Sequence, residues 1–285
     1  MSDIDHRQNL VLVHGWGLGN TAWEAVLPAL TQRFHVHLFT FPGYITPEDR
    51  TDKQSSNQCL EEAHEQTAFR PTLCRTPFDA PSSPSFAQTA QALADTLPDN
   101  CILCGWSLGS MLTLQAAALA PQRIDKLILI GGTPSFTQRA GWPHAQPPAL
   151  LDTFCDAIAS DAAGPLKRFI ALFNQGDTQA RQIGRAMIKQ LLAATLPDTA
   201  TLLAGLGWLR DVDLRQQIAS IAVPTRLIHG ENDPLMPLAA AQWLNETLPN
   251  AQLEVFSEAA HAPFLNDPDR FAKLIGDEFH ASALH

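Results

Sequence analysis

The sequence predicts an α/β fold: a mostly parallel central sheet flanked by helices, with an inserted helical cap. Three observations predict it. Short apolar runs alternate with helical patterns along most of the chain. The alternation lapses between Pro134 and about Arg215, where the pattern is almost wholly helical. The glycine-framed stretch Gly105-Trp106-Ser107-Leu108-Gly109 stands where an apolar run gives way to a helical one.

The elements follow in order. NLVLVHG (9–15) reads as a buried strand, then come the glycine-rich HGWGLG (14–19) and a helical pattern over 22–30. FHVHLFT (34–40) is the second strand. From Tyr44 to Pro84 the chain is polar and rich in Pro, Ser, Thr and Gln, with CLEEAHEQ as a short helix. A connection of that length is a functional excursion or a partly disordered segment. A helix over 85–97, the strand NCILCGW (100–106), a helix over 108–120 and the strand IDKLILIGG (124–132) come next. After the helical stretch, PTRLIHG (224–230), a helix over 237–247, AQLEVFS (251–257) and a helix over 268–280 restore the alternation. Right-handed crossovers then put helices on both faces of the sheet. The expected division is a core over 1–133 with 44–84 as a polar insertion, a cap over 134–215, and the core continued over 216–285.

Composition limits the function. With 285 residues, 45% of them hydrophobic, the chain can build one large core. No run reaches the roughly 18 to 20 apolar residues of a membrane span. The start, MSDIDHRQ, is too acidic and polar for a secretory signal. Five cysteines without an export signal imply reduced thiols in a cytoplasm. The expectation is a cytoplasmic monomer with no membrane partner. Cys101 and Cys104 form a C-x-x-C, but within a strand they point to opposite faces and read as buried structural thiols. A net charge of −10 argues against nucleic acid as a partner.

Ser107 carries the chemistry. G-x-S-x-G between strand and helix is the pattern of a nucleophile elbow, in which the glycines remove side chains where the two elements crowd. A serine nucleophile needs a base, an acid to orient the base, and donors for an oxyanion. Asp233 in HGENDPLMP and His261 in EAAHAPF each follow a predicted strand, where open α/β sheets place their sites. Taken singly, Asp233 is a turn former and His261 an ordinary loop histidine. The chain order Ser107, Asp233, His261 is that of an α/β-hydrolase triad. Glu231 is the competing acid, ranked below Asp233. The N–H of Leu108, after the nucleophile, and that of Trp16, in the loop after the first strand, are the expected oxyanion donors. A phosphate loop is disfavoured, because HGWGLG lacks both the G-x-G-x-x-G spacing and the Walker lysine. His14 and His229 lack a cluster of ligands, so no metal is assigned, and the chemistry needs no organic cofactor.

These residues resemble the α/β-hydrolase superfamily across essentially the whole chain. Within it, LVHGWGLGNTAW, GWSLGS, RFIALFNQGDTQARQ, VDLRQ and AAHAPFLNDPDRF resemble the pimeloyl-[acyl-carrier protein] methyl ester esterases of biotin synthesis. The resemblance implies that the enzyme releases methanol from a pimeloyl chain carried on acyl-carrier protein. It implies Ser107, His261 and Asp233 as triad and Trp16 with Leu108 as oxyanion hole, with Trp16 also at the substrate. It implies that Phe169, Ile170, Ala171, Leu172 and Phe173 line an acyl channel, and that Arg168, Arg181 and Arg185 face the carrier protein. Three departures stand out: the long stretch after Pro42-Gly43, a shortened leading hairpin, and Ser110 where a glycine is commoner. The first puts the access route and partner surface in question.

The cap adds a physical argument of its own. Lys167, Arg168, Arg181, Arg185 and Lys189 enclose a single acid, Asp177. Positions 181, 185 and 189 share one helix face. Such a face is either merely solvated or suited to an anionic partner such as an acidic carrier protein. The rival readings are a broad short-chain esterase or thioesterase using the same triad, and a noncatalytic binding protein on this fold.

Overall fold

The computed structural model describes residues 7–44, 72–74, 84–161 and 163–277. The helix expected at CLEEAHEQ and most of the stretch 44–84 lie outside them. Among the described residues seven strands form one sheet: β1 (Gln8–Val13), β2 (Phe34–Phe39), β3 (Thr72–Cys74), β4 (Cys101–Trp106), β5 (Ile124–Ile130), β6 (Thr225–Gly230) and β7 (Ala251–Phe256). Their order is β3-β2-β1-β4-β5-β6-β7, and every pairing is parallel. Strands β4 and β6 are buried at every residue, as unbroken apolar runs covered on both faces should be. No sequence signal marks β3, since three residues in polar surroundings show no periodicity.

The helices are α1 (Leu27–Thr31), α2 (Phe86–Thr96), α3 (Leu108–Leu119), α4 (Pro148–Ser160), α5 (Ala163–Phe173), α6 (Ala180–Ala193), α7 (Thr199–Asp211), α8 (Leu238–Thr247), α9 (Pro263–Asn266) and α10 (Pro268–Gly276). The single helix expected over 22–30 is instead a 3₁₀ turn, Gly19–Trp23, followed by the short α1. Pro28 is the cause: it opens a helix readily but cannot continue one, having no N–H to give. Ser85 starts α2 with a reciprocal cap, its hydroxyl accepting from Gln88 N while the Gln88 side chain accepts from Ser85 N. Helices α4 to α7 occupy the span between β5 and β6, and 134–147 is irregular apart from two isolated bridges.

The chain turns opposite ways from β1, to β2 on one side and β4 on the other. A crevice opens at such a reversal, outside the carboxyl ends of the strands. The loops after β1 and β4 meet there. Among the described residues no helix is long and apolar enough to cross a membrane.

Candidate active site

Ser107 is the hinge between β4 and α3, with φ 59° and ψ −121°. That conformation is costly for a residue with a side chain and persists only where neighbours over-determine it. They do so here. Ser107 N donates to Ile130 O at 2.9 Å, and Ser107 O accepts from Ser110 N at 2.9 Å and Ser110 Oγ at 2.6 Å. Ser110 thus uses its hydroxyl to brace the elbow. A Cβ at Gly105 would lie 2.4 Å from Gly109 O, and one at Gly109 only 2.3 Å from Val13 O. Both glycines are there because strand and helix leave no room for more.

His261 and Asp233 come from the loops after β7 and β6, and both are buried. His261 Nδ1 donates to Asp233 Oδ2 at 2.6 Å. The other carboxylate oxygen accepts from Leu235 N and Met236 N, each at 2.9 Å. Burial works against the Asp233 charge, but the adjacent His261, its hydrogen bond and the Met236 N–H outweigh it and hold the carboxyl below its ordinary range. Glu231 is exposed and bonds through its backbone to Phe256 O. Asp233 is therefore the acid at the imidazole. Nε2 of His261 is buried with no hydrogen-bond partner among the described residues. Trp106, next to Ser107, donates its indole N–H to His261 O at 2.8 Å and packs against the imidazole.

Trp16 sits on the loop after β1 and Leu108 is the first residue of α3, and the two segments meet at the reversal. The Trp16 indole donates to Leu202 O of α7 at 2.9 Å and meets the Phe169 ring edge-on, tying the β1 loop to the inserted helices. His14 underpins this loop. Its Nδ1–H donates to Gly15 O at 2.7 Å and its Nε2 accepts from Phe41 N at 3.2 Å, so the ring is neutral. Burial lowers its pKa from 6.5 to about 4. His229 likewise donates from Nε2 to Met236 O at 2.7 Å. Both histidines are occupied in holding loops. Cys101 and Cys104 are buried free thiols, and burial pushes Cys101 up to about 12 and Cys104 higher still.

An apolar pocket adjoins Ser107, lined by Trp16, Phe136, Phe154, Phe169, Leu206 and Leu209 with three further leucines. Its free volume is about 10 Å³, the space of one water, so an acyl chain enters only as these side chains give way. Phe169 reaches it, while Phe173 packs on Trp106 and His261, and Ile170 is fully buried. Ala171 and Leu172 do not line it. They face a second, open groove of about 610 Å³ together with Arg168, Arg181 and Arg185. The reason is helical geometry: five successive residues cannot share one face. Lys189 is exposed on α6 outside the residues lining that groove. Phe136, Phe154, Leu206 and Leu209 went unread in the sequence, because an apolar stripe facing a pocket looks like one facing a core.

A profile of the alpha/beta hydrolase family matches residues 10–274. The chain belongs to the alpha/beta hydrolase family. This hydrolase is 36% identical, over 95% of its length and 98% of the relative's, to the pimeloyl-[acyl-carrier protein] methyl ester esterase of Aromatoleum aromaticum. It is 33% identical to the enzyme of that name from Nitrosomonas europaea, over 92% of both chains. Among solved structures the hydrolase resembles an esterase from Exiguobacterium antarcticum, with a TM-score of 0.72 and 22% identity over 94% of this chain and 90% of that one. A bromoperoxidase from Bacillus anthracis gives 0.73 with 17% identity over the same shares. At such identities the likeness is one of fold.

Proposed function

We propose that this protein is a serine carboxylesterase that hydrolyses the methyl ester of pimeloyl-acyl-carrier protein, releasing methanol in biotin synthesis. The observation that carries the chemistry is the bond from His261 Nδ1 to Asp233, which leaves Nε2 as the free ring nitrogen. The relatives' names supply the substrate class. The basic groove on α5 and α6 supports an acidic carrier. In this reading 134–215 is a cap on a core formed by 1–133 and 216–285.

Ser107 Oγ attacks the ester carbonyl as His261 Nε2 takes its proton. Asp233 holds the tautomer and stabilises the imidazolium. The Trp16 and Leu108 N–H groups receive the oxyanion, aided by the start of α3. His261 then protonates departing methanol, and water, activated by the same imidazole, frees the distal carboxylate from Ser107. Arg168, Arg181, Arg185 and Lys189 meet the carrier.

Comparing kcat/KM for the pimeloyl-carrier methyl ester with that for a simple butyrate ester tests this. A large preference for the carrier-bound ester is expected. Equal values would favour a broad short-chain esterase.

A further inference from the structure

Asp177 was the lone acid in a basic stretch, which suits a solvated surface. It is instead buried, between exposed Gly176 and Thr178. Its Oδ2 accepts from Ala260 N at 3.1 Å, and its Oδ1 accepts from Gln179 N at 2.7 Å and Asn266 Nδ2 at 2.9 Å. Burying a carboxylate is costly unless donors replace the lost water, and here three do. One of them is the residue before His261.

The surrounding bonds follow the same pattern. His261 N donates to Phe173 O at 3.2 Å, Thr178 N donates to Glu258 O at 3.0 Å, and Gln179 Nε2 donates to Asn266 O at 2.7 Å. Glu258 has φ 63°, a strained value for a residue with a side chain. The histidine loop is thus held in a shape it would not keep unaided. Its fasteners are Trp106 and Asp233 from the core and the turn 173–179 from the inserted helices.

We propose that Asp177 is a positioning residue for His261, acting through the Ala260 N–H to keep the imidazole in the place it holds against Asp233 and Trp106. The inference rests on reading His261 as the base. It also gives the turn after α5 a place in the catalytic frame as well as in the cap.

The test uses the full chain, p-nitrophenyl acetate as substrate, and thermal melting alongside. Asp177→Ala removes the acceptor for Ala260 N–H, whereas Asn266→Ala removes a partner of Oδ1 and leaves that bond. In Asp177→Ala, kcat should fall about 10- to 100-fold while KM stays within about threefold, as expected of a displaced catalytic group. Asn266→Ala should lower Tm and keep kcat within about threefold. Asp177→Asn, with one oxygen left for Ala260 N–H, should lie between wild type and alanine, and serves if the alanine variant does not fold. Wild-type kcat in folded Asp177→Ala, or in Asp177→Asn where that is the variant available, would overturn the proposal. So would equal losses of kcat in the Asp177 and Asn266 variants in step with Tm. His261→Ala is run beside them: if it keeps its activity, the base assignment itself is wrong, a result separable from either.

Discussion

Gly17 N donates to the hydroxyl of Tyr44 at 2.8 Å. Tyr44 is the chain's single tyrosine, and its ring lies 4.8 Å from that of His14. The turn that leads into the long polar stretch therefore fastens the loop carrying the Trp16 N–H. Tyr44→Phe should leave Gly17 N–H without its acceptor and reduce kcat about tenfold, less than loss of an oxyanion donor itself. Packing of the ring is retained, so the fall in Tm should be limited to the few degrees that one unsatisfied buried N–H costs. Steady-state kinetics on a simple ester, with wild-type kcat as the adverse outcome, decide it.

Ser107→Ala or His261→Ala should lower kcat on the order of 10⁴- to 10⁶-fold with the fold intact by circular dichroism. Asp233→Asn should be similarly harmful, because an amide cannot hold the same tautomer. Glu231→Gln should be near neutral, since Glu231 is exposed. Activity lost in Glu231→Gln but kept in Asp233→Asn would reverse the assignment of the acid.

Gly109→Ala should destabilise more than an ordinary core substitution. The new Cβ would meet two backbone carbonyls, Val13 O at 2.3 Å and His14 O at 2.5 Å, neither of which can rotate away. Overpacking of this kind costs about 1–3 kcal/mol or more. A chemical denaturation midpoint equal to wild type would show that α3 can shift freely against β1.

Stability should fall with acidity in a window set by His14. Folded His14 takes a proton only near pH 4, whereas the unfolded residue does so near 6.5. Between these values the unfolded chain holds more protons, so stability is full above 6.5 and declines as pH drops towards 4. The shift corresponds to on the order of 3 kcal/mol. His229, also lowered by burial, adds in the same direction. Urea melts of His14→Asn at pH 7.5 and 5 should show a smaller decline than wild type. An unchanged decline would place the titration elsewhere.

Arg181→Glu with Arg185→Glu should reduce kcat/KM for the carrier-bound ester roughly ten- to a hundredfold at low salt, the gap narrowing as salt is added. The neutral butyrate ester should be unaffected, because both arginines line the outer groove and not the pocket at Ser107. Equal losses on both substrates would mean damage to the helices, and no loss on either would make the arginines a solvated face.

The six longer strands and the positions of Ser107, Asp233 and His261 were legible because each rests on local signals: an apolar run, a turn residue after it, and a fixed chain order. The steric need behind Gly105 and Gly109 is local as well. What was hidden depends on distant contact. Asp177 reads as a surface charge until Ala260 and Asn266 arrive from 83 and 89 residues away. Leu206 and Leu209 look like core because a helical stripe does not announce what faces it, and Ala171 and Leu172 were placed in the channel only by the family resemblance, which carries over a run and not a face. Strand β3 takes its identity wholly from pairing with β2.

No residue lining the pocket beside Ser107 bears a charge. A methyl ester is neutral, whereas its hydrolysis product is an anion at neutral pH whose lost hydration these walls do not replace. Only the Ser107 end of the pocket, where the proposed oxyanion donors lie, offers that anion hydrogen bonds. The apolar walls therefore hold the acyl chain and leave the newly formed charge to that end alone.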